Sequence, residues 1–385
     1  MALSFRRLNR ISYRRLAALC PLQYNNIQVK LTESPGEKPK DTSRVVFGSV
    51  FTDHMLEIDW TVEKGWESPL ISPYHDFPMS PATSALHYGI ECFEGMKAYR
   101  GVDGKVRLFR PMENMQRMFN SGQRLCLPAF DKEEFLKCIK RLVHIDADWV
   151  PKEPDCSLYI RPTFIGYQPS LGVGPSKRAL LYCILSPVGP YFKDGGFKPV
   201  SLLADPRYVR SWPGGMGDCK AGGNYGATVL TQVEAERRGC QQVLWLYGDD
   251  YKLTEVGTMN MFIYMKNEQG VNELVTPPLD GLILPGVTRK SIVELAQKWE
   301  NIQVSERSIT MQEVVKALEE GRLMEMFGAG TACVVCPVDR ILYNEKNYHI
   351  PTMDNGAPIA KRAHKELTSI QWGETPHEWS VPVSD

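Results

Sequence analysis

A chain of 385 residues, 43% of them hydrophobic, is long enough to bury two cores. Its 45 Lys and Arg side chains balance 45 Asp and Glu, so charge does not argue for nucleic acid, and no apolar run is long enough for a bilayer span. The ten cysteines are too few and too scattered for a disulfide scaffold; most read as core thiols of a reducing compartment.

The first 32 residues are set apart. Arg6, Arg7, Arg10, Arg14 and Arg15 all precede the first acid, Glu33. On a helical wheel Phe5, Leu8, Ile11, Leu16 and Leu19 share one face. Arg6, Arg7, Arg10 and Arg14 take the other, and Arg15 falls among the apolar positions. An Arg-rich, acid-free amphipathic start reads as a mitochondrial presequence, placed at residues 1–27, with the matrix as destination. Arginines interrupt every apolar stretch, which argues against a secretory signal. A basic surface helix is the plainer alternative.

Strands and helices alternate in the first half. Residues 106–110 predict a strand, and the spacing of Met112, Met115, Met118 and Phe119 predicts a helix over 111–125. Asp131-Lys132-Glu133-Glu134 is a capping box that opens a helix burying Phe135, Cys138, Ile139 and Leu142. Residues 157–164 and 179–186 read as strands. The Pro- and Gly-rich stretch 187–199 marks a linker, so a smaller domain over 28–190, a linker at 191–201 and a larger domain over 202–385 are expected. In that second half, strands are predicted over 242–247 and 261–265, and helices over 224–238, 288–299 and 310–320.

Lys220 stands in the segment 214–226 among glycines 214, 215, 217, 222, 223 and 226. Such a run weakens the backbone unless the chain bends sharply or approaches a ligand. A partly dry lysine there can attack a carbonyl and form a Schiff base. Alone, the segment reads equally as a surface loop. Further on, Glu255 leads through Val256-Gly257-Thr258-Met259-Asn260 into an apolar strand, and Pro285-Gly286 opens a helix whose first amides, at Val287 and Thr288, form an anion site. A Schiff-base lysine, a carboxylate for a ring nitrogen and an amide cradle for a phosphate are what pyridoxal phosphate requires.

With these residues in view, the chain resembles the branched-chain amino-acid aminotransferases, mitochondrial type, among the class IV (fold type IV) pyridoxal-phosphate enzymes. Its motifs are Leu86-His87-Tyr88, Cys92-Phe93-Glu94-Gly95, Tyr159-Ile160-Arg161-Pro162-Thr163, the Lys220 segment, residues 255–260 and residues 328–336. The resemblance runs from about Phe47 to the C-terminal region. It implies a mixed α/β (α+β), two-domain fold with the active site between domains, and a homodimer acting on amino acids and 2-oxo acids.

The resemblance also implies roles. Lys220 would carry pyridoxal 5′-phosphate and move the substrate proton, Glu255 would face the ring nitrogen, and Tyr225 the ring oxygen. Arg117, Val287 and Thr288 would hold the phosphate, with Thr258 and Thr331 supporting the cofactor. Phe47, Tyr88, Phe93, Tyr159, Tyr191 and Met259 would wall a pocket for leucine, isoleucine or valine. Arg161 would take the distal carboxylate of glutamate, and amides at Thr331 and Ala332 with Tyr88 the α-carboxylate. Without the resemblance, Arg117 reads as a surface arginine and Tyr225 as a core tyrosine.

Cys333-Val334-Val335-Cys336 has no second CxxC or His pair, so no metal is expected. Its apolar spacer looks like strand. The resemblance implies a redox-sensitive pair; a purely structural pair is the alternative. Other readings of the whole chain are a D-amino-acid aminotransferase, an aminodeoxychorismate-lyase-like enzyme of the same fold, or a non-enzymatic redox-responsive protein.

Overall fold

The structure is a computed structural model describing residues 20–191 and 197–384. The presequence helix expected before Cys20 lies outside the described residues. The chain divides into two compact units. The first runs through Pro190 and also takes Cys219–Gly223 and Gln371–Asp385; the second comprises Tyr191–Asp218 and Asn224–Ile370. Both short returns to the first unit fall inside 202–385, expected from sequence to form one domain. Strand pairing is the reason: Ala221 bridges to Cys92, and Ser380–Pro382 pairs with Val106–Phe109.

The first unit is built on a ten-stranded sheet. At its centre Ser157–Gly166 and Arg178–Val188 run antiparallel, in register from Ser157 opposite Val188 to Gly166 opposite Ala179. Met96–Arg100, Val106–Phe109 and Ser380–Pro382 extend the sheet on one side; His54–Thr61, Leu70–Pro73 and Gln28–Val29 extend it on the other. The helix Pro111–Arg124 starts on a proline, whose missing N–H would be unpaired there anyway. The helix Lys132–Ile145 is capped by Asp131, which accepts from the Glu133 and Glu134 amides. Only half of the expected capping box forms in this way, because the Glu134 carboxylate accepts the Tyr24 N–H at 2.6 Å. Met115 and Met118 on the first helix, and Phe135, Ile139 and Leu142 on the second, join Leu158, Ile160 and Phe164 in one core. Each such side chain contributes about 1.5–3 kcal/mol by leaving water.

Residues from Cys20 onward are part of this unit, although the sequence placed them in a presequence ending at residue 27. Leu22 is 1% exposed within the core. The Cys20 carbonyl accepts the Trp66 N–H at 2.9 Å.

The second unit holds a nine-stranded sheet. Met259–Lys266 and Val334–Tyr343 flank Leu323–Gly330 in antiparallel register, while Val200–Ala204 pairs parallel with both Gln242–Tyr247 and Val334–Tyr343. Met261, Ile263, Met326 and Ile341 pack with Met311 and Val314 of the helix Met311–Glu319. Thr310 caps that helix by accepting the Glu313 N–H at 3.2 Å.

One expected element differs. The helix expected over 224–238 is broken into Gly222–Gly226 and Val229–Arg237. The Thr228 amide and hydroxyl both donate to the Tyr225 carbonyl, at 3.0 and 2.7 Å, closing a turn at the break. The apolar Val334-Val335 spacer of the CxxC motif is strand, as its composition predicts. Cys333 ends a turn, and the strand Val334–Tyr343 begins at a valine with φ of 61°, a left-handed conformation that a β-branched residue adopts at a cost.

Candidate active-site residues

In the first unit the strand Glu91–Phe93 lies between two partners. On one side Phe93 stands opposite Thr163. On the other, its N–H donates to the Lys220 carbonyl at 3.1 Å, and the Lys220 N–H donates to Ser121 Oγ at 2.9 Å. This fixes the lysine's backbone and brings Nζ to 4.8 Å from the Phe93 ring centroid. The Arg161 guanidinium lies 4.7 Å from the same ring and 5.2 Å from that of Tyr159. Arg161 Nη2 donates to Tyr159 Oη at 3.1 Å, and Phe47 meets Tyr159 edge-on at 4.9 Å. Five expected residues, Phe47, Phe93, Tyr159, Arg161 and Lys220, therefore form one contiguous group. A side chain at Gly95 would meet Tyr159 Oη at 2.1 Å, so the tyrosine's place depends on that glycine. The Tyr88 hydroxyl donates to the Leu171 carbonyl.

Arg117 is buried beside Glu94. Nε and Nη2 donate to the two carboxylate oxygens at 2.6 and 2.7 Å. Asn114 Nδ2 and the Gly95 amide also donate to Glu94 Oε2, at 2.9 and 3.1 Å. Glu94 lies within one of the sequence motifs, yet sequence reasoning gives it no role, and the helical spacing that places Arg117 carries no hint of its partner.

In the second unit Glu255 is buried in a full set of donors. Oε1 accepts the Leu284 N–H at 2.9 Å and Asn260 Nδ2 at 3.3 Å; Oε2 meets Arg210 Nη1 at 2.8 Å, with both side chains under 5% exposed. The pair gives this buried carboxylate a charge partner as well as hydrogen-bond donors. Arg210 escaped sequence reasoning because it sits in an unpatterned loop. Val287 and Thr288 open the helix Val287–Ala296, whose N-cap Gly286 supplies no side-chain cap and whose first turn holds no acid. A side chain at Gly286 would meet Asn260 Oδ1 at 2.0 Å.

Met259 is buried, with its sulfur 3.1 Å from Cys333 Sγ. Thr258 and Ala332 are exposed, Thr331 and Tyr225 intermediate. Cys333 and Cys336 are buried free thiols; burial, with Cys333 beside it, raises the Cys336 thiol well above its ordinary range. Tyr191 is 45% exposed overall, but desolvation followed by the two cysteines pushes its phenol up.

The class IV amino-transferase family matches residues 91–341 of this sequence. The chain belongs to the class IV aminotransferases. It is 57% identical over 358 residues to the mitochondrial branched-chain-amino-acid aminotransferase of Bos taurus, covering 93% of this chain and 91% of the relative. It is 58% identical over 348 residues to the cytosolic counterpart of Ovis aries, covering 90% of each. Among solved structures, the branched-chain aminotransferase of Thermoproteus uzoniensis with norvaline matches at a TM-score of 0.66 and 25% identity, over 85% of this chain and 99% of that one. A second solved branched-chain amino acid aminotransferase, holding pyridoxamine 5′-phosphate and named as from T.th., matches at 0.68 and 25%, over 85% and 98%.

For a class IV aminotransferase, the donor set fits pyridoxal phosphate. A lysine lies against an aromatic ring in the first unit. In the second, a carboxylate is buried with its arginine, and a helix N-terminus offers amides with neither a capping side chain nor a first-turn acid.

Proposed function

We propose that this class IV aminotransferase exchanges the amino group of L-leucine, L-isoleucine or L-valine with 2-oxoglutarate, giving branched 2-oxo acids and L-glutamate in a ping-pong cycle. The observation that carries this reading is the group of Lys220 and Arg161 on the Phe93 ring, with Tyr159 and Phe47 beside it. An amine and a guanidinium set among aromatic faces suit a substrate whose side chain is apolar in one half-reaction and anionic in the other.

When bound, pyridoxal phosphate supplies a ring that draws electrons from the substrate Cα. Lys220 would hold it covalently and would then take the Cα proton as a base and return it as an acid. Glu255, paired with Arg210, would face the ring nitrogen and favour its protonated form. Tyr225 would donate to the ring oxygen. Arg117 and the Val287 and Thr288 amides would bind phosphate, with Thr258 and Thr331 in support. Phe47, Tyr88, Phe93, Tyr159, Tyr191 and Met259 receive the apolar side chain, Arg161 the distal carboxylate, and Tyr88 with the Thr331 and Ala332 amides the α-carboxylate.

The enzyme works as a homodimer in the mitochondrial matrix, the Arg-rich start serving as presequence. Cys333 and Cys336 give up two electrons and two protons to peroxide, forming a disulfide and water, and so switch activity. Unchanged peroxide sensitivity in Cys333→Ser would exclude that switch.

The absorbance spectrum tests the main reading. Purified protein shows a visible band that L-leucine alone converts to a near-ultraviolet one and 2-oxoglutarate restores; Lys220→Ala lacks the visible band. A band unmoved by leucine defeats the substrate assignment. A protein that stays colourless with added pyridoxal phosphate defeats the enzyme reading.

A further inference from the structure

Three polar side chains make one buried line along the helix Pro111–Arg124. Asn114, Arg117 and Ser121 follow one another at i, i+3 and i+7, and each is under 7% exposed. Beside them Met115 and Met118 join the apolar core. Buried polar groups are costly unless hydrogen-bonded, and these three bond to two short stretches of chain. Asn114 Nδ2 and the Arg117 guanidinium donate to the Glu94 carboxylate. Ser121 Oγ accepts the Lys220 N–H at 2.9 Å, and Ser121 is wholly buried.

The contacts close into a circuit. From Arg117 the fork leads to Glu94. Phe93, the residue before it, donates its N–H to the Lys220 carbonyl at 3.1 Å. The Lys220 N–H then returns to Ser121, one turn along the helix from Arg117. Both backbone polar groups of the lysine are thus tied, the amide to the helix and the carbonyl to the strand Glu91–Phe93. Four residues of helix rise about 6 Å, so the circuit fixes the lysine backbone relative to Arg117 through short links. Gly122 lets the helix lie close to the sheet at this point: a Cβ there would come 3.2 Å from Phe164 Cδ1.

We propose that Ser121 is a positioning residue that holds the Schiff-base lysine in register with the cation that binds the phosphate. With the phosphate seated on Arg117, the Lys220 amine is aimed at the aldehyde carbon. Nζ bonds that carbon, and the aldehyde oxygen leaves as water with the two protons of the amine. The inference rests on the roles given above to Lys220 and Arg117. A ligand that carries the phosphate and ring but no aldehyde does not depend on this register.

Full-length protein freed of cofactor is titrated with pyridoxal 5′-phosphate and, separately, with pyridoxamine 5′-phosphate, which bears an amine in place of the aldehyde and cannot join Lys220. The ratio of the two affinities reports the bond to the lysine. Ser121→Ala lowers this ratio about tenfold, the size of one lost buried hydrogen bond, by weakening the aldehyde form alone. Ser121→Thr, which keeps the hydroxyl, holds the wild-type ratio. Equal loss for both forms, an unchanged ratio in Ser121→Ala, or a ratio that falls as far in Ser121→Thr overturns the proposal. If Lys220→Ala leaves the ratio unchanged, or wild type binds neither form, the cofactor reading itself fails and takes this inference with it.

Discussion

Glu94 grips Arg117 through two parallel hydrogen bonds of 2.6 and 2.7 Å, with the carboxylate fully buried and the guanidinium side chain 7% exposed. A fork of this kind fixes the plane of the guanidinium as well as its position. Removing the acid leaves a buried cation without its carboxylate, so Glu94→Ala is expected to lose about 3–5 kcal/mol in urea unfolding. It also weakens cofactor retention, read as the concentration of pyridoxal phosphate needed to restore the visible band. A variant as stable as wild type would show that the pair is dispensable to the fold.

Arg210 stands to Glu255 as Glu94 does to Arg117. Arg210→Gln keeps a donor near Glu255 Oε2 but removes the charge paired with the carboxylate. The leucine half-reaction, followed in a single turnover, is expected to slow about 10²-fold, with Glu255→Gln slowing it at least as much. Normal turnover in Arg210→Gln would mean that the neighbouring amide and Asn260 suffice.

Leu22 tests the start of the fold. It is 1% exposed in the first unit's core, so Leu22→Ala is expected to cost about 2–4 kcal/mol through lost burial and the cavity left behind. Mass spectrometry of the mature protein is the companion measurement; a mature chain beginning after Leu22 would show that the fold does without it.

Glu325 gives a pH dependence with a definite sign. Its carboxylate accepts the Ile359 and Ala360 amides at 2.9 Å each, at the start of the helix Pro358–Gln371. Burial outweighs these bonds and raises the acid above its ordinary range. The folded protein therefore binds this proton more tightly than the unfolded chain does. Its contribution to stability is complete below the unfolded value of about 4.3 and is lost as pH rises through the higher folded value, at about 1.4 kcal/mol for each tenfold difference in proton affinity between the two states. Wild type is expected to lose ground relative to Glu325→Gln between pH 4 and pH 7 in denaturant titrations. A constant difference would refute the linkage.

What was legible in the sequence depended on how local its cause is. Asp131 announced its helix because a cap acts within three residues of itself. Lys220 stood out because its glycines crowd it. The partners of the site residues stayed hidden: Glu94 and Arg117, or Arg210 and Glu255, are joined by topology, and no periodicity spans such gaps. The break between Gly226 and Val229 was missed because helical spacing says nothing of a threonine whose amide and hydroxyl both turn to one carbonyl. The Val334-Val335 spacer was legible as strand because β-branched residues favour it, and pairing with Ala329 and Gly330 holds it there.

The pairing of Ser380–Pro382 with Val106–Phe109 has a consequence for the order of synthesis. Arg110 adds to that seam, its guanidinium 4.2 Å from the Trp379 ring. The ribosome delivers Phe109 long before Ser380, its partner in register. Until Ser380–Pro382 emerge, the strand Val106–Phe109 is an open edge ready to pair with any other extended chain. A chain cut short before Ser380 would still display this edge, so loss of the last strand shows as association between copies and not only as lost stability.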